Sequence, residues 1–562
     1  MRIQADIPPR TRWSWAAGLS LLTGLLAQYG TGYASVLMHG QGEAWQAWVF
    51  PVTMAVVLAC SLGRGSAGWW KAGGIFTLWI LLTVLALAIS WQFHDFSWDG
   101  MTSRALLVRW ISEGFPAGEI PTLNFGHILS AYALEVTGNW NAGKAVNLLL
   151  PIAGFCLVAA SLTDAGIRHG KGLALLAMLN PVVICQISTF QVDGHVAVLL
   201  TILLFSLSLM VHQGGLSLPA VWAALAGTAC LALAKNSGIF YAGIVWVIFA
   251  LSMALRTRSW RPLFAVGGVL FVMTAVFGLA MRKSMNYGAL SLDYVRRATS
   301  SGPAYGVGGG ASQIEEFASS SKLKQFLASY FSYTEIAPTE IHWKPPFWLI
   351  RREIRVFEEL TPDPRAGGFG PLYGTALLVS WGALLAGVMT RSLRPEWHKW
   401  FFPLAIVATA FPSQVWWARW VPQLWLLALV PLMMIAGANQ PTGKLTRALA
   451  GLSVLVLAVN LGLIVLYYGL GMVRAQRVLD SQLVLIQKLP QPVSLFVPRF
   501  TANRSWLQDA GVQVEAVGEK PPVPRMKIVK TTSWVGLTPG WAHQITSPQF
   551  LAELRKRDLL EE

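Results

Sequence analysis

Two aspartates four residues apart, Asp95 and Asp99 in HDFSWDG (94–100), follow directly on a long apolar run and are framed by Phe96 and Trp98. If the stretch is helical, that spacing puts both carboxylates on one face. Each would then raise the other's pKa and favour a shared proton or cation. The chemistry this suits is removal of a proton from an acceptor hydroxyl by one carboxylate, the second assisting or binding a metal. The plainer reading is an interfacial cap, because Trp and Phe gather at membrane surfaces in any case. The residues alone leave these two readings open. Downstream, Arg104, Arg109, Trp110, Glu113 and Glu119 interleave with Leu and Val, a pattern expected of amphipathic helices lying in the interface.

Further candidates are scattered along the chain. Asp193 in QVDGH closes an apolar segment, with His195 two residues on; an aspartate before glycine is often only a turn former. His195 has no His or Cys partner at zinc spacing, so a histidine-held metal is not expected. Two cations fall at the ends of apolar runs: Lys235 in LAKNSGIF and Arg419 in WWARW, the latter flanked by Trp416, Trp417 and Trp420. Arginine at membrane depth is costly, and a guanidinium among indoles suits a phosphate at headgroup level. Arg351, Arg352, Arg355 and Arg365 add a basic cluster, which singly reads as a solvated helix face. As a set, these groups fit a cavity for an anionic lipid.

What positions them is a membrane. The 562 residues are 54% hydrophobic and only 12% charged, and the mean hydropathy is +0.50, where a soluble domain carries roughly 25% charge. The net charge of +16 lies between apolar segments rather than on a soluble basic face, so nucleic acid is not an expected partner. The four cysteines sit in apolar runs and read as small hydrophobes. Stretches of about 20 apolar residues fall near 14–36, 46–63, 73–92, 145–163, 172–190, 194–212, 217–235, 238–255, 262–281, 371–390, 401–414, 420–437 and 448–470. That makes about thirteen spans, the first a retained helix. Lys and Arg favour cytoplasmic loops. With the N-terminus inside, the inner segments hold Arg10, Arg12, Arg64, Lys71, Arg168, Lys171, Arg256, Arg258, Arg391 and Lys444 among others, while the short outer loops hold only Lys235 and Arg419.

The expected fold is therefore an all-α polytopic membrane protein (residues 1–470) with outer loops at 93–144 and 282–370 and the C-terminus outside. A small extracytoplasmic α/β module (471–562) follows, with PVSLFVP and VQVEAV as strands around a RSWLQDAG helical turn. The glycine-rich stretch 301–321 is expected to be an outer loop, and the module a structural cap. No internal repeat is visible.

The order of these features resembles that of polytopic glycosyltransferases of the GT-C superfamily, which share an acidic motif in an early outer loop followed by interfacial helices. HDFSWDGMTSR occupies that place, and NPVVICQISTFQVDGH, LALAKNSGIFY, DPRAGGFGPLYG and WWARWVPQLWLL are similar to stretches of bacterial members. The likeness spans roughly residues 73–436 and leaves the C-terminal module unmatched. It implies a GT-C-like fold in a bacterial inner membrane and transfer of a hexosyl or pentosyl group from a polyprenyl-phosphate-linked sugar. The acceptor would be a glycan, lipid or protein of the cell envelope. No cofactor would be required, a divalent cation being compatible. By position Asp99 matches the family's catalytic aspartate best, with Asp95 its competitor. Lys235, Arg419 and Arg365 would hold the donor phosphate, and Asp193, His195, Arg104 and Trp417 would line the substrate site. Where some relatives carry a Tyr-His pair after the aspartate, this chain has Ser103 and Arg104, so a role for such a histidine does not transfer. The competing readings are a lipid-linked sugar flippase, a surface-polysaccharide polymerase or ligase, and a non-catalytic scaffold. A flippase would show repeated halves and broken helices meeting at the bilayer midplane.

Overall fold

The structure is a computed structural model and describes residues 3–4, 11–39, 41, 46, 48–62, 66–114, 124–261, 266–268, 320–336, 340–360, 364, 366–393, 400–411, 413–438, 442–498, 500, 502–538, 541 and 547–562. Among the described residues, five helices are long and apolar enough to cross a membrane: Gly68–Gln92, Trp140–Asp164, Asp193–Gln213, Asn236–Thr257 and Lys444–Lys488. Shorter apolar helices, Val49–Leu62, Leu218–Ala234, Tyr373–Met389 and Phe401–Ala410, pack with them. The helix Asp193–Gln213 lies at the centre, 94% buried over its most apolar window, whereas Gly68–Gln92 is only 17% buried and turns its apolar surface outward.

Two expected spans are not continuous helices. The segment 172–190 breaks into Gly170–Met178 and a short turn Pro181–Cys185, because Pro181 has no N–H to donate and its ring disfavours helix in the residue before it. Asn180 compensates at the break: its side-chain oxygen accepts from Val182 N at 3.0 Å and its amide donates to Pro422 O at 2.8 Å. That second bond reaches the other broken span. Residues 420–437 form a 3-10 turn, Pro422–Ala428, and then the helix Val430–Ala436. The expected span 262–281 and the glycine-rich stretch 301–319 lie almost entirely outside the described residues. So do Glu119 and Arg365.

The last helix runs 45 residues, Lys444–Lys488, or about 67 Å at 1.5 Å per residue, against a hydrocarbon core of about 30 Å. It continues through residue 470 because its sequence there becomes amphipathic. Met472, Ala475, Val478, Leu479, Leu485 and Ile486 are buried at helical spacing. Beyond it lies a five-stranded sheet in the order Val514–Val517, Val493–Phe496, Trp534–Gly536, Arg525–Lys527, Leu560–Glu561. The first two strands are parallel, joined through the helix Ala502–Asp509, and the remaining pairs are antiparallel. Gln482, fully buried, joins helix to sheet by donating to Lys527 O at 2.8 Å and accepting from Val529 N at 2.9 Å.

Asn460 does the same for the loop before Tyr373. Its amide donates to Phe369 O and its oxygen accepts from Leu372 N, both at 2.9 Å. Asn460→Leu leaves both backbone groups unpaired in the interior, at about 1–3 kcal/mol each. The expected outcome is a lower thermal midpoint and faster amide exchange over residues 366–375, with the sheet's exchange unchanged.

Candidate active site

The acidic loop is extended from Phe93 to Ser97 and becomes helical only at Trp98, so Asp95 and Asp99 do not share a helical face. Asp95 turns inward and is fully buried. One carboxylate oxygen accepts from Ser97 N and the other from Phe190 N, each at 2.7 Å. It thereby staples this loop to the one that precedes Asp193. Gly100 is where the backbone passes closest, and any side chain there would run into the Asp95 carboxylate. Burial pushes the Asp95 carboxyl up, opposed by the Lys144 ammonium and by the Ser97 and Phe190 bonds.

Asp99 faces the other way. Its side chain is 32% exposed and pairs with the Arg419 guanidinium through Nη2. Arg419 donates its Nε to Asp193 at 2.6 Å, and Lys235 Nζ reaches the other oxygen of Asp193 at 2.6 Å. Asp193 is 1% exposed and is the first residue of its helix. Two distant parts of the chain thus converge on one buried carboxylate, and Arg419 links it to Asp99. The Lys235 ammonium also lies over the Trp420 ring, 4.2 Å from its centre. Trp417 stacks on Trp416 at 5.4 Å and is tilted against Trp420. Arg104 joins electrostatically: burial pushes its pKa down, Asp193 and Asp99 oppose that shift, and Arg419 adds to it. Its Nη1 is buried without a hydrogen-bond partner among the described residues. Of the expected set, Asp99, Asp193, Lys235, Arg419 and Arg104 come together. His195 is within electrostatic reach of Arg104 and Asp193, and its Nε2 lies 2.6 Å from Asn147 Oδ1.

Several residues that build the site are not singled out by the sequence as site residues, although Gln186 and Tyr241 lie in the stretches NPVVICQISTFQVDGH and LALAKNSGIFY. Gln186 donates to Asp193 at 3.3 Å and accepts from Gly194 N at 2.8 Å. The Tyr241 hydroxyl donates to Trp420 O at 2.6 Å and so fixes the turn that carries Arg419. Lys144, 1% exposed, donates to Phe93 O and, at 3.0 Å, to Asn141 Oδ1, holding the start of the acidic loop. Of these three, only Lys144 carries a charge that could have marked it, as a lysine at the mouth of an apolar run. His94 is gripped from the C-terminal side: its backbone N–H donates to Gln476 Oε1 at 2.7 Å and its ring sits 5.0 Å from that of Trp506. Trp98 likewise meets Phe500 edge to face at 5.1 Å.

Among the described residues, the cations Arg104, Lys235 and Arg419 cluster with the carboxylates Asp99 and Asp193, and Asp95 also acts on Arg104. Of the two carboxylates paired with these cations, Asp99 is the more exposed, at 32% against 1% for Asp193. Among the described residues, no group of three His, Cys, Asp or Glu side chains could hold a metal ion.

Solved structures supply a likeness. The chain is similar to ArnT from Cupriavidus metallidurans. Against its apo crystal structure the identity is 15%, the TM-score 0.43, and 80% of this chain and 86% of that chain are covered. Against its crystal structure bound to undecaprenyl phosphate the values are 16%, 0.42, 81% and 87%. No protein-family model matches the chain, and none of the curated proteins does.

Burial pushes His94 down to about 3, and Lys144 adds to the shift. His127 is also pushed down to about 3, by burial and then Arg104. Both rings are neutral in the folded protein but take up a proton below about pH 6.5 once unfolded. The unfolded state therefore binds more protons between about pH 6.5 and 3, and stability falls as pH falls through that window. The expected outcome is a thermal midpoint that drops steadily below pH 6.5, with His94→Gln showing a shallower slope than the parent chain.

Proposed function

We propose that the chain is a membrane glycosyltransferase of the GT-C type, moving a sugar from a polyprenyl-phosphate donor to an acceptor on the extracytoplasmic face of a bacterial inner membrane. The observation that carries this reading is the convergence of Arg104, Lys235 and Arg419 on Asp193 and the exposed Asp99 at one end of the apolar helices. A glycosyl phosphate already has a good leaving group. The protein need only place an acceptor, take its proton and neutralise the departing phosphate.

In this mechanism the donor phosphate enters against Arg419 and the unpartnered Nη1 of Arg104, in the bidentate geometry arginine offers to phosphate oxygens. Competition for the Arg419 guanidinium loosens its hold on Asp99. The acceptor hydroxyl loses its proton to Asp99 while its oxygen bonds to the anomeric carbon. The bond from that carbon to the phosphate oxygen breaks, and the electron pair leaves with the phosphate, whose added charge the cations meet. Asp193 keeps Lys235 and Arg419 in place and is a positioning residue. Asp95, with both oxygens committed to backbone N–H groups, holds the loop and is not the base.

Two substitutions test this assignment with a polyprenyl-phosphate sugar as donor. Asp99→Asn removes the base, and kcat is expected to fall by about 100-fold or more with donor KM little changed. Undiminished transfer by a folded Asp99→Asn variant would overturn the assignment. Arg104→Gln, at a side chain whose Nη1 has no hydrogen-bond partner among the described residues, is expected to raise donor KM about ten-fold, the loss of one charge-assisted contact. Arg419→Gln should weaken donor binding too, and also lower the melting temperature because Asp193 loses a buried partner.

A further inference from the structure

Residues 345–349, Pro-Pro-Phe-Trp-Leu, are exposed throughout, and the residues on either side of them are pinned. Lys344 donates to Glu353 Oε1 at 2.6 Å and to Pro371 O. The Phe347 N–H donates to Thr375 Oγ1 at 2.9 Å. Phe347 sits at φ +65°, a left-handed conformation that a bulky residue adopts only where its surroundings impose it. The tip is therefore built, with Phe347 57%, Trp348 54% and Leu349 38% exposed, and Trp343 beside it 55% exposed.

Its height is set by the same contacts. Thr375 lies in the first turn of the apolar helix Tyr373–Met389, so the tip stands where that helix leaves the hydrocarbon. Immediately after it come Arg351, Arg352 and Arg355, all exposed on the short helix Arg351–Glu358. The acidic groups nearby are largely engaged: Glu353 by Lys344, Glu358 by Arg474, and Glu335 loosely by Arg352 at 3.6 Å and His342 at 3.8 Å. Glu359 and Glu340 remain exposed. An aromatic wedge at the depth of a helix end, followed by guanidinium groups, is the composition of a surface that enters a bilayer interface and meets anionic headgroups.

We infer that the 343–355 segment is a docking surface for anionic phospholipid in the leaflet on the active-site side, with Phe347, Trp348 and Leu349 in the interface and Arg351, Arg352 and Arg355 on lipid phosphates. The segment joins the end of the helix Lys322–Tyr330 through Lys344 N, which donates to Phe331 O at 3.0 Å, and that helix is tied in turn to the turn that carries Arg419. Ser329, on the preceding helix Lys322–Tyr330, donates to Trp416 O at 2.6 Å, and Lys322 donates to Ser413 O at 2.8 Å. Lipid bound at the tip thus steadies the loop against which the Arg419 turn is built.

The test uses the full chain in nanodiscs of phosphatidylcholine and phosphatidylglycerol, and reads lipid contact rather than sugar transfer. A photo-crosslinking residue replaces Trp348, with Leu466 on a membrane helix as the lipid-facing control and Val523, in the bend before the strand Arg525–Lys527, as the solvent-facing control, each 54% exposed. The expected result is lipid adducts at 348 and 466 and none at 523. The adducts at 348 should be enriched in phosphatidylglycerol, and the enrichment should be lost in the Arg351→Gln, Arg352→Gln, Arg355→Gln triple variant while crosslinking at 466 is unchanged. Absence of a lipid adduct at 348, a protein adduct there, or equal capture of both lipids regardless of the arginines would each overturn the proposal.

Discussion

A carboxylate as buried as Asp193 is tolerable among apolar helices only if cations reach it, and that constraint organises the centre of this protein. Desolvating an ion costs several kcal/mol even after relaxation, and no water-filled alternative exists for an aspartate 1% exposed. Lys235 comes from the junction of two helices and Arg419 from a Trp-rich turn, so the pairing fixes those elements against the N-terminus of the helix Asp193–Gln213. Because a guanidinium has several donors, Arg419 can satisfy Asp193 and still reach Asp99. The same group is thus a structural pin and the contact a phosphate would compete for.

The remaining architecture holds the other half of that pairing in place. Asp95 ties the acidic loop to the loop before Asp193, Lys144 grips its start, and Gln476 and Trp506 hold His94 from above. Gln476, Gln482 and Asn460 all lie on the one long C-terminal helix. That helix reaches the loop before Tyr373, the acidic loop and the C-terminal sheet in turn, which makes it a strut between membrane and outer parts. The sheet meets the acidic loop through Trp506 and Phe500 and through the Arg109–Asp509 pair at 3.1 Å.

Much of the site was legible as a set of charges at the ends of apolar runs, since polar residues there are expensive and therefore stand out. What each aspartate does was not legible. Asp95 and Asp99 share the same spacing, neighbours and residue type, yet one is locked on two backbone N–H groups and the other faces outward. That difference arises because the loop stays extended through Ser97, and Phe190, ninety-five residues away, supplies the second donor. Gln186 and Tyr241 lie in family-like stretches but nothing marked them individually there, and Asn147 had no signal at all, because these are uncharged residues whose role depends on what packs against them. The broken spans at 172–190 and 420–437 were hidden for a related reason: hydropathy counts apolar residues, while Pro181, Pro422 and Pro431 act on backbone hydrogen bonds.

By itself, the sequence determined the solvent and the inventory. Its composition demands a lipid environment, its runs locate most of the helices, and its charges largely avoid the apolar runs because hydrocarbon excludes them. Only the tertiary structure decided which charges meet. Pairing of Asp99, Asp193, Lys235 and Arg419 spans up to 320 residues of chain, and contacts that distant depend on how the helices pack rather than on any local pattern.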